Sequence, residues 1–271
     1  MTRVTVVVPT HDHSTTLRRS LGSILEQTVS DLRIVVIGDG VGDDTREVIA
    51  SIDDDRLDFW DRPKQPRHAE NLRDELIRTL DTQFVAYHGD DDLLLPHHLE
   101  EMLGVLGDAD FVHPVPAFIH PGPSVKVAAI DLSKRADRRS VLAPIHRSVI
   151  SLTGVVHTLS SYRRLPHGWR TTPLGVATDQ YMWRQYLACR SVRAVSATRA
   201  TTIKLTAVSR KDHDEAMRAA EIEAWWRLVH SPGFVGRWDA AIDAATMAAR
   251  WRTVPHSLLA RSLQWLPAPA V

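Results

Sequence analysis

Three consecutive carboxylates, Asp90, Asp91 and Asp92, stand between the apolar run at 84–87 and the segment Leu93-Leu94-Leu95-Pro96. Carboxylates so crowded repel one another unless positive charge sits between them. A hard divalent cation, Mn2+ or Mg2+, supplies that charge, takes oxygen ligands and leaves positions open for diphosphate oxygens. An Asp-rich turn whose last member, Asp92, caps a helix starting near Pro96 accounts for that residue equally well. Histidines are numerous, 14 in all, and His88, His97 and His98 flank the run. Their spacing matches neither His-Glu-x-x-His nor a cysteine cluster, which argues against zinc. His97 and His98 read as solvated residues of a first helical turn.

The elements that position these groups follow from periodicity. The β-branched run at 4–8 ends at Pro9, and Leu17, Leu21, Ile24 and Leu25 then recur at helical spacing. A second apolar run, 32–37, stops at Gly38-Asp39-Gly40, and Asp44 and Glu47 have capping-box spacing ahead of Val48, Ile49 and Ile52. Residues 57–60 and 84–87 read as further strands, with Leu72, Leu76 and Leu80 striping the helix between them. Strands alternating with helices imply a mostly parallel central sheet flanked by helices, a Rossmann-like α/β fold. Ligands bind such sheets beyond the carboxyl ends of the strands. That rule selects His11, Asp12 and His13, then Gly38 and Asp39, then residues 88–92. The stretch 112–172 has weak periodicity and reads as irregular. From Asp212 onward helices are expected at 212–229, 234–252 and 256–266, broken at Pro232 and Pro255. The expected organisation is a domain at 1–211 with a helical C-terminal extension at 212–271.

At these residues the chain resembles the inverting family 2 glycosyltransferases with the GT-A fold. Val4 to Asp12 is similar to the family's opening strand and turn, and Ser23-Ile24-Leu25-Glu26-Gln27-Thr28 to its Ser-x-Leu-x-Gln-Thr helix end. Val35-Val36-Ile37-Gly38-Asp39-Gly40 with Asp43-Asp44-Thr45 looks like its Val-Asp-Asp-Gly-Ser-x-Asp-x-Thr segment, and Gly89-Asp90-Asp91-Asp92 sits where its Asp-x-Asp metal motif falls. The resemblance implies a soluble enzyme that moves a sugar from a nucleotide-diphosphate donor (a UDP-, GDP- or dTDP-sugar) to an acceptor hydroxyl. It implies that Pro9, Thr10, His11 and Asp12 line the nucleobase pocket, that Asp39 hydrogen-bonds the base, and that Asp90 lies beside the donor ribose or metal. Asp91, with Asp92, would hold the cation. Inversion requires a general base beside the acceptor. Gly175 to Trp183 resembles the family's Glu-Asp-x-x-x-Trp segment and makes Asp179 that base, although a carboxylate in a first helical turn is also favoured by the helix dipole alone. The chain departs from the family at Gly38 and Gly89, each standing where Asp is usual. Asn71 matches a donor-site position without the glycine that normally follows it.

Trp169, in a segment similar to the family's Phe-Arg-Arg stretch, reads as an acceptor platform or as packing. Lys204, Arg210 and Lys211 are either diphosphate contacts or solvated charges, and His213 is a weaker candidate for the metal shell. The 33 basic and 33 acidic side chains cancel, which gives no sign of a nucleic-acid partner. A single cysteine, Cys189, excludes an internal disulfide and suits a cytoplasmic setting. No apolar window reaches the roughly 18 residues of a membrane span. Trp225, Trp226, Trp238, Trp251 and Trp265, with Arg250, Arg252 and Arg261, suit packing on the catalytic domain, a homo-oligomer contact or peripheral contact with a membrane. Two rivals stand beside the transferase. A nucleotidyltransferase needs a glycine-rich, lysine-bearing loop where this chain has Thr10-His11-Asp12-His13, and a non-catalytic sugar-nucleotide-binding protein leaves the acidic repulsion unexplained.

Overall fold

A computed structural model describes residues 2–122, 124–143 and 149–251. The first half runs β1 (Val4–Thr10), α1 (Ser14–Leu25), β2 (Leu32–Asp39), α2 (Asp43–Ala50), β3 (Leu57–Arg62), α3 (Glu70–Thr79), β4 (Phe84–Tyr87), β5 (Leu93–Leu94) and α4 (His98–Leu106). The rest comprises β6 (Phe111–His113), β7 (Ala117–His120), β8 (Ser124–Val127), α5 (Arg135–Leu142), β9 (Val156–Thr158), α6 (Leu159–Arg163), α7 (Thr178–Ala188), β10 (Ala194–Ser196), β11 (Thr202–Leu205), α8 (Glu215–Val229) and α9 (Phe234–Trp251).

Seven strands form the central sheet in the order β10-β6-β9-β4-β1-β2-β3. Only β9 runs against its neighbours, pairing antiparallel with β4 and β6. Strand period two explains why the central strands are mostly apolar on both faces: successive residues enter opposite cores. Val6, Val8, Ile34, Val36 and Ala86 pack with α1 and α4. Val7, Val35, Ile37, Val85 and Tyr87 face α3 and α7, where Phe111, Trp169, Trp183 and Tyr186 interlock. A second sheet, β5-β11-β7-β8, carries a third apolar cluster, covered by Trp225 of α8 and by Phe234 and Trp238 of α9. Trp238 Nε1 donates to the Ala200 carbonyl at 2.6 Å.

The segment expected to be irregular holds β6 to β9 and two helices. Its strands have three or four residues, too few to show a period. His98 is not solvated: it is fully buried under β5 and β11, and its Nδ1 lies 2.7 Å from Thr201 Oγ1. Asp92 does not cap α4, whose N-cap is His97 with no side-chain hydrogen bond. Helices α8 and α9 match the first two expected in the extension. The third, at 256–266, and the side chains of Arg250, Trp251, Arg252, Arg261 and Trp265 lie outside the described residues. No described helix is long and apolar enough to cross a membrane.

Four fully buried imidazoles are held neutral by burial, His98 at a pKa of about 3 and His88, His113 and His157 at about 4. The unfolded chain takes up protons on them below about pH 6.5 while the native chain does not, so lowering the pH favours unfolding. Stability should therefore fall between about pH 6.5 and 4 by up to roughly 1.4 kcal/mol per pH unit for each histidine. Urea midpoints measured from pH 7.5 to 5 test this, and a flat profile below pH 6.5 contradicts it.

Candidate active site

The carboxyl ends of β1, β2 and β4 and the first turns of α3 and α7 surround a cleft of about 440 Å3. Of the residues expected there, the cleft brings together Pro9, Thr10, His11, Asp39, Asp90 and Asp179. Asp12 is not on its wall: it is exposed and its carboxylate lies 3.0 Å from His11 Nε2. Asn71 is exposed on α3 and off the wall as well. A cleft of about 380 Å3 opens near Thr2, Arg33 and Asp58, at the opposite ends of the strands. There Arg33 and Asp58 pair with each other, and parallel sheets seldom bind ligands at that end.

The three carboxylates of the acidic run have different surroundings. Asp90 is 2.9 Å from His13 Nδ1, and its carbonyl accepts from Thr16 Oγ1 at 2.9 Å. Burial opposes ionisation of Asp90, but the hydrogen bond and charge of His13 outweigh it and hold the carboxyl below the usual range. The same bond raises His13 to about 9. Asp92 is fully buried: Oδ1 accepts from the Leu205 amide at 2.9 Å, and Oδ2 from Lys204 Nζ at 2.8 Å and from the Thr153 hydroxyl. Among the described residues Asp91 forms one ion pair, with the Lys204 ammonium 3.8 Å away. Burial, reinforced by Asp92 and Asp90, pushes Asp91 up to about 6 against the pull of Lys204.

Elsewhere on the wall, Asp39 is 3% exposed and accepts from Lys64 Nζ at 2.5 Å and from the Gln65 amide at 2.6 Å. Asp179 stands in the first turn of α7, its Oδ1 accepting from the Gln180 amide at 2.7 Å. That turn is fastened to α3 by the buried Glu70, whose carboxylate accepts from Thr172 at 3.1 Å, Thr178 at 3.0 Å and the His68 amide at 3.1 Å. No local pattern marks Glu70, because two of its partners are more than 100 residues away. His13 lay on the strand-end rim by sequence, but its pairing with Asp90 is a tertiary fact. Lys204 is an ion-pair partner, not a solvated charge. Arg210 is buried in a two-pronged pair with Glu221, 2.6 Å at each contact, which removes it from the diphosphate candidates. His213 also faces Glu221, at 3.8 Å. Trp169 is buried against Tyr87 and Trp183 and serves packing.

Residues 5–164 match the profile described as Glycosyl transferase family 2. The chain belongs to that family. The GalNAc(5)-diNAcBac-PP-undecaprenol beta-1,3-glucosyltransferase of Campylobacter jejuni is 29% identical over 105 residues, which are 38% of this chain and 34% of the relative. The chain thus spans about a third of that curated relative. The crystal structure of S. aureus TarS 1–349 aligns with a TM-score of 0.56 at 16% identity, over 86% of this chain and 74% of that one. TarS 1–349 in complex with UDP-GlcNAc aligns at 0.55 and 14% identity, over 98% and 82%. The shared fold is the GT-A architecture, here with a mixed central sheet.

Both departures of this family member from the family pattern have steric reasons. A Cβ on Gly38 would lie 2.8 Å from Phe59 Cε2, so the ring of Phe59 occupies the space an Asp side chain needs. A Cβ on Gly89 would lie 2.8 Å from Asp92 Oδ2 and 3.1 Å from Thr153 Oγ1, inside the Asp92 network.

The unequal surroundings of Asp91 and Asp92 predict opposite effects of their removal. Without divalent cations at pH 7, Asp91→Asn should stabilise the protein by roughly 1–3 kcal/mol, since it deletes a carboxylate that burial disfavours. Asp92→Ala should destabilise it by roughly 3–5 kcal/mol, since it leaves Lys204 buried without its main partner. Urea denaturation of the two variants in EDTA decides the matter, and the reverse order of midpoints refutes it.

Proposed function

We propose that this glycosyltransferase moves a sugar from a nucleoside-diphosphate donor to an acceptor hydroxyl with inversion, using Asp179 as general base. The observation that carries the reading is the single cleft shared by Asp39, Asp90 and Asp179. A donor lying from Asp39 toward Asp90 presents its anomeric carbon to an acceptor beside Asp179. Asp39 and the segment Pro9-Thr10-His11 take the nucleobase, and Asp90, fixed by His13, takes the ribose side. Asp179 accepts the hydroxyl proton as the oxygen attacks in line, a role worth about 100- to 10 000-fold in rate. The UDP-GlcNAc bound by TarS and the glucosyl transfer named for the Campylobacter relative favour a nucleotide sugar as donor.

The residues present fit a divalent cation that arrives with the diphosphate. Among the described residues no group of three or more His, Cys, Asp or Glu is arranged to hold an ion. Asp91 nevertheless is a carboxylate crowded by two others, with Lys204 at 3.8 Å and His13 acting on it only through charge, and Mg2+ typically takes one or two carboxylates plus substrate phosphates. Asp91 is therefore assigned as the ligand. Asp92, whose oxygens already accept three hydrogen bonds, is assigned to fixing Lys204. Bound there, the cation would stabilise charge on the departing diphosphate. Residues 1–211 are assigned as the catalytic unit and 212–271 as its helical extension, acting in the cytoplasm.

Asp179→Asn should lower transfer by about 100- to 10 000-fold while nucleoside-diphosphate binding, followed by calorimetry, stays within about twofold. Turnover near the wild-type rate removes Asp179 from the mechanism. Binding of the nucleoside diphosphate should also weaken at least about tenfold when Mn2+ is replaced by EDTA, and Asp91→Asn should abolish that dependence.

A further inference from the structure

Arg73, in the first turn of α3, is 3% exposed and yet lines the cleft. Its guanidinium stacks on the Trp169 ring with 4.3 Å to the centroid. Nη2 donates to the His68 carbonyl, while the buried Nε has no hydrogen-bond partner. Among the described residues no carboxylate forms an ion pair with it. Glu70, one turn away, is committed to Thr172, Thr178 and the His68 amide. A buried charge without an ion-pair partner is costly, and Glu70 and Asp179 act on it through their charge without pairing with it. The Nε of Arg67, on the same wall, is also buried and unpartnered. Arg67 and Ala69 take φ values of +68° and +57°, a region that non-glycine residues rarely enter and that clusters at ligand sites.

We infer that Arg73 determines specificity by binding an oxyanion, a carboxylate or phosphate, carried by one of the two sugars that meet beside Asp179. The inference rests on the donor and acceptor reading of the cleft proposed above. A guanidinium presents its donors in a planar fork that matches carboxylate and phosphate oxygens. Trp169 covers one face of that plane and His68 takes one donor, so the unpartnered edge is what a ligand meets. A neutral sugar leaves the cation uncompensated, whereas an anionic one supplies the missing charge. The diphosphate is a less suitable partner, because the cations nearest the acidic run are His13 and Lys204 while Arg73 shares its wall with Asp179. The transferred sugar and the acceptor sugar are two sources of the same chemistry.

Calorimetry on the full chain with Mn2+ separates them. UDP, GDP and dTDP are titrated first to find the nucleotide that binds. One arm then compares its glucose and glucuronate esters, and the other titrates the nucleotide-saturated enzyme with glucose, glucuronate and glucose 6-phosphate. A charged sugar should bind at least about tenfold tighter than its neutral counterpart in one arm, which names the source. Arg73→Met should erase that preference with the nucleoside diphosphate alone unchanged within about twofold, and Arg73→Lys should keep part of it. Equal binding in both arms of the wild-type comparison overturns the inference whatever the variants do. So does a preference that survives Arg73→Met, or an equal loss for the nucleoside diphosphate alone. If no nucleoside diphosphate binds, the donor reading itself fails and the inference with it.

Discussion

Asp92 joins parts of the chain that are otherwise far apart. It follows the last residue of β4 by five positions, and its carboxylate receives the Thr153 hydroxyl from the approach to β9 together with the Lys204 ammonium and Leu205 amide of β11. The central sheet and the small sheet are thus fastened through one fully buried charge. A buried carboxylate is tolerable only when its oxygens are satisfied and its charge is met, and here both conditions hold. Because Lys204 is fixed by Asp92, its remaining reach extends to Asp91, and Gly89 must stay without a side chain to leave the network room.

This arrangement makes three adjacent aspartates chemically unequal. Asp90 is neutralised by His13 and Asp92 by Lys204, so the excess negative charge of the run concentrates on Asp91. Burial, reinforced by the like charges alongside, raises the pKa of the member that is least compensated. The protein therefore lodges its electrostatic strain on the one carboxylate that has no close donor, and at an affordable level because Lys204 remains within 3.8 Å. In a uniformly paired triplet no member would carry that excess, and a wholly unpaired one would oppose folding.

The features legible in the sequence were those with local signatures. Apolar runs at β1, β2 and β4 and helical spacing in α1 and α3 defined the parallel core, and the strand-end rule led to Asp39 and Asp90. Asp179 came from the family resemblance, and it lines the same cleft. What escaped depends on long-range pairing. β6 and β9 have three residues each and are strands only because they pair with each other and with β4 and β10. The partners of Glu70 lie 102 and 108 positions away and that of His98 103 positions away. The environment of Arg73 is set largely by Trp169 and Asp179, which no window around residue 73 contains. Hydrophobic period reports which face a residue occupies; it does not report which charge waits there.

The C-terminal helices enter the same electrostatic balance. Helix α8 lies along α1, where Trp226 rests within 3.0 Å of the Cβ position of Gly22 and Arg19 pairs with Glu223 at 2.6 Å. From this helix Arg218 Nη1 reaches to 3.4 Å from His13 Nε2, so the imidazole sits between a carboxylate on one nitrogen and a guanidinium on the other. Asp90 favours the imidazolium and Arg218 opposes it, with the carboxylate prevailing at the shorter distance. His13 lines the cleft and holds Asp90 ionised, so through Arg218 helix α8 contacts the cleft wall directly. Helix α8 is in this sense part of the site's electrostatics, although its own sequence carries no motif of the chemistry.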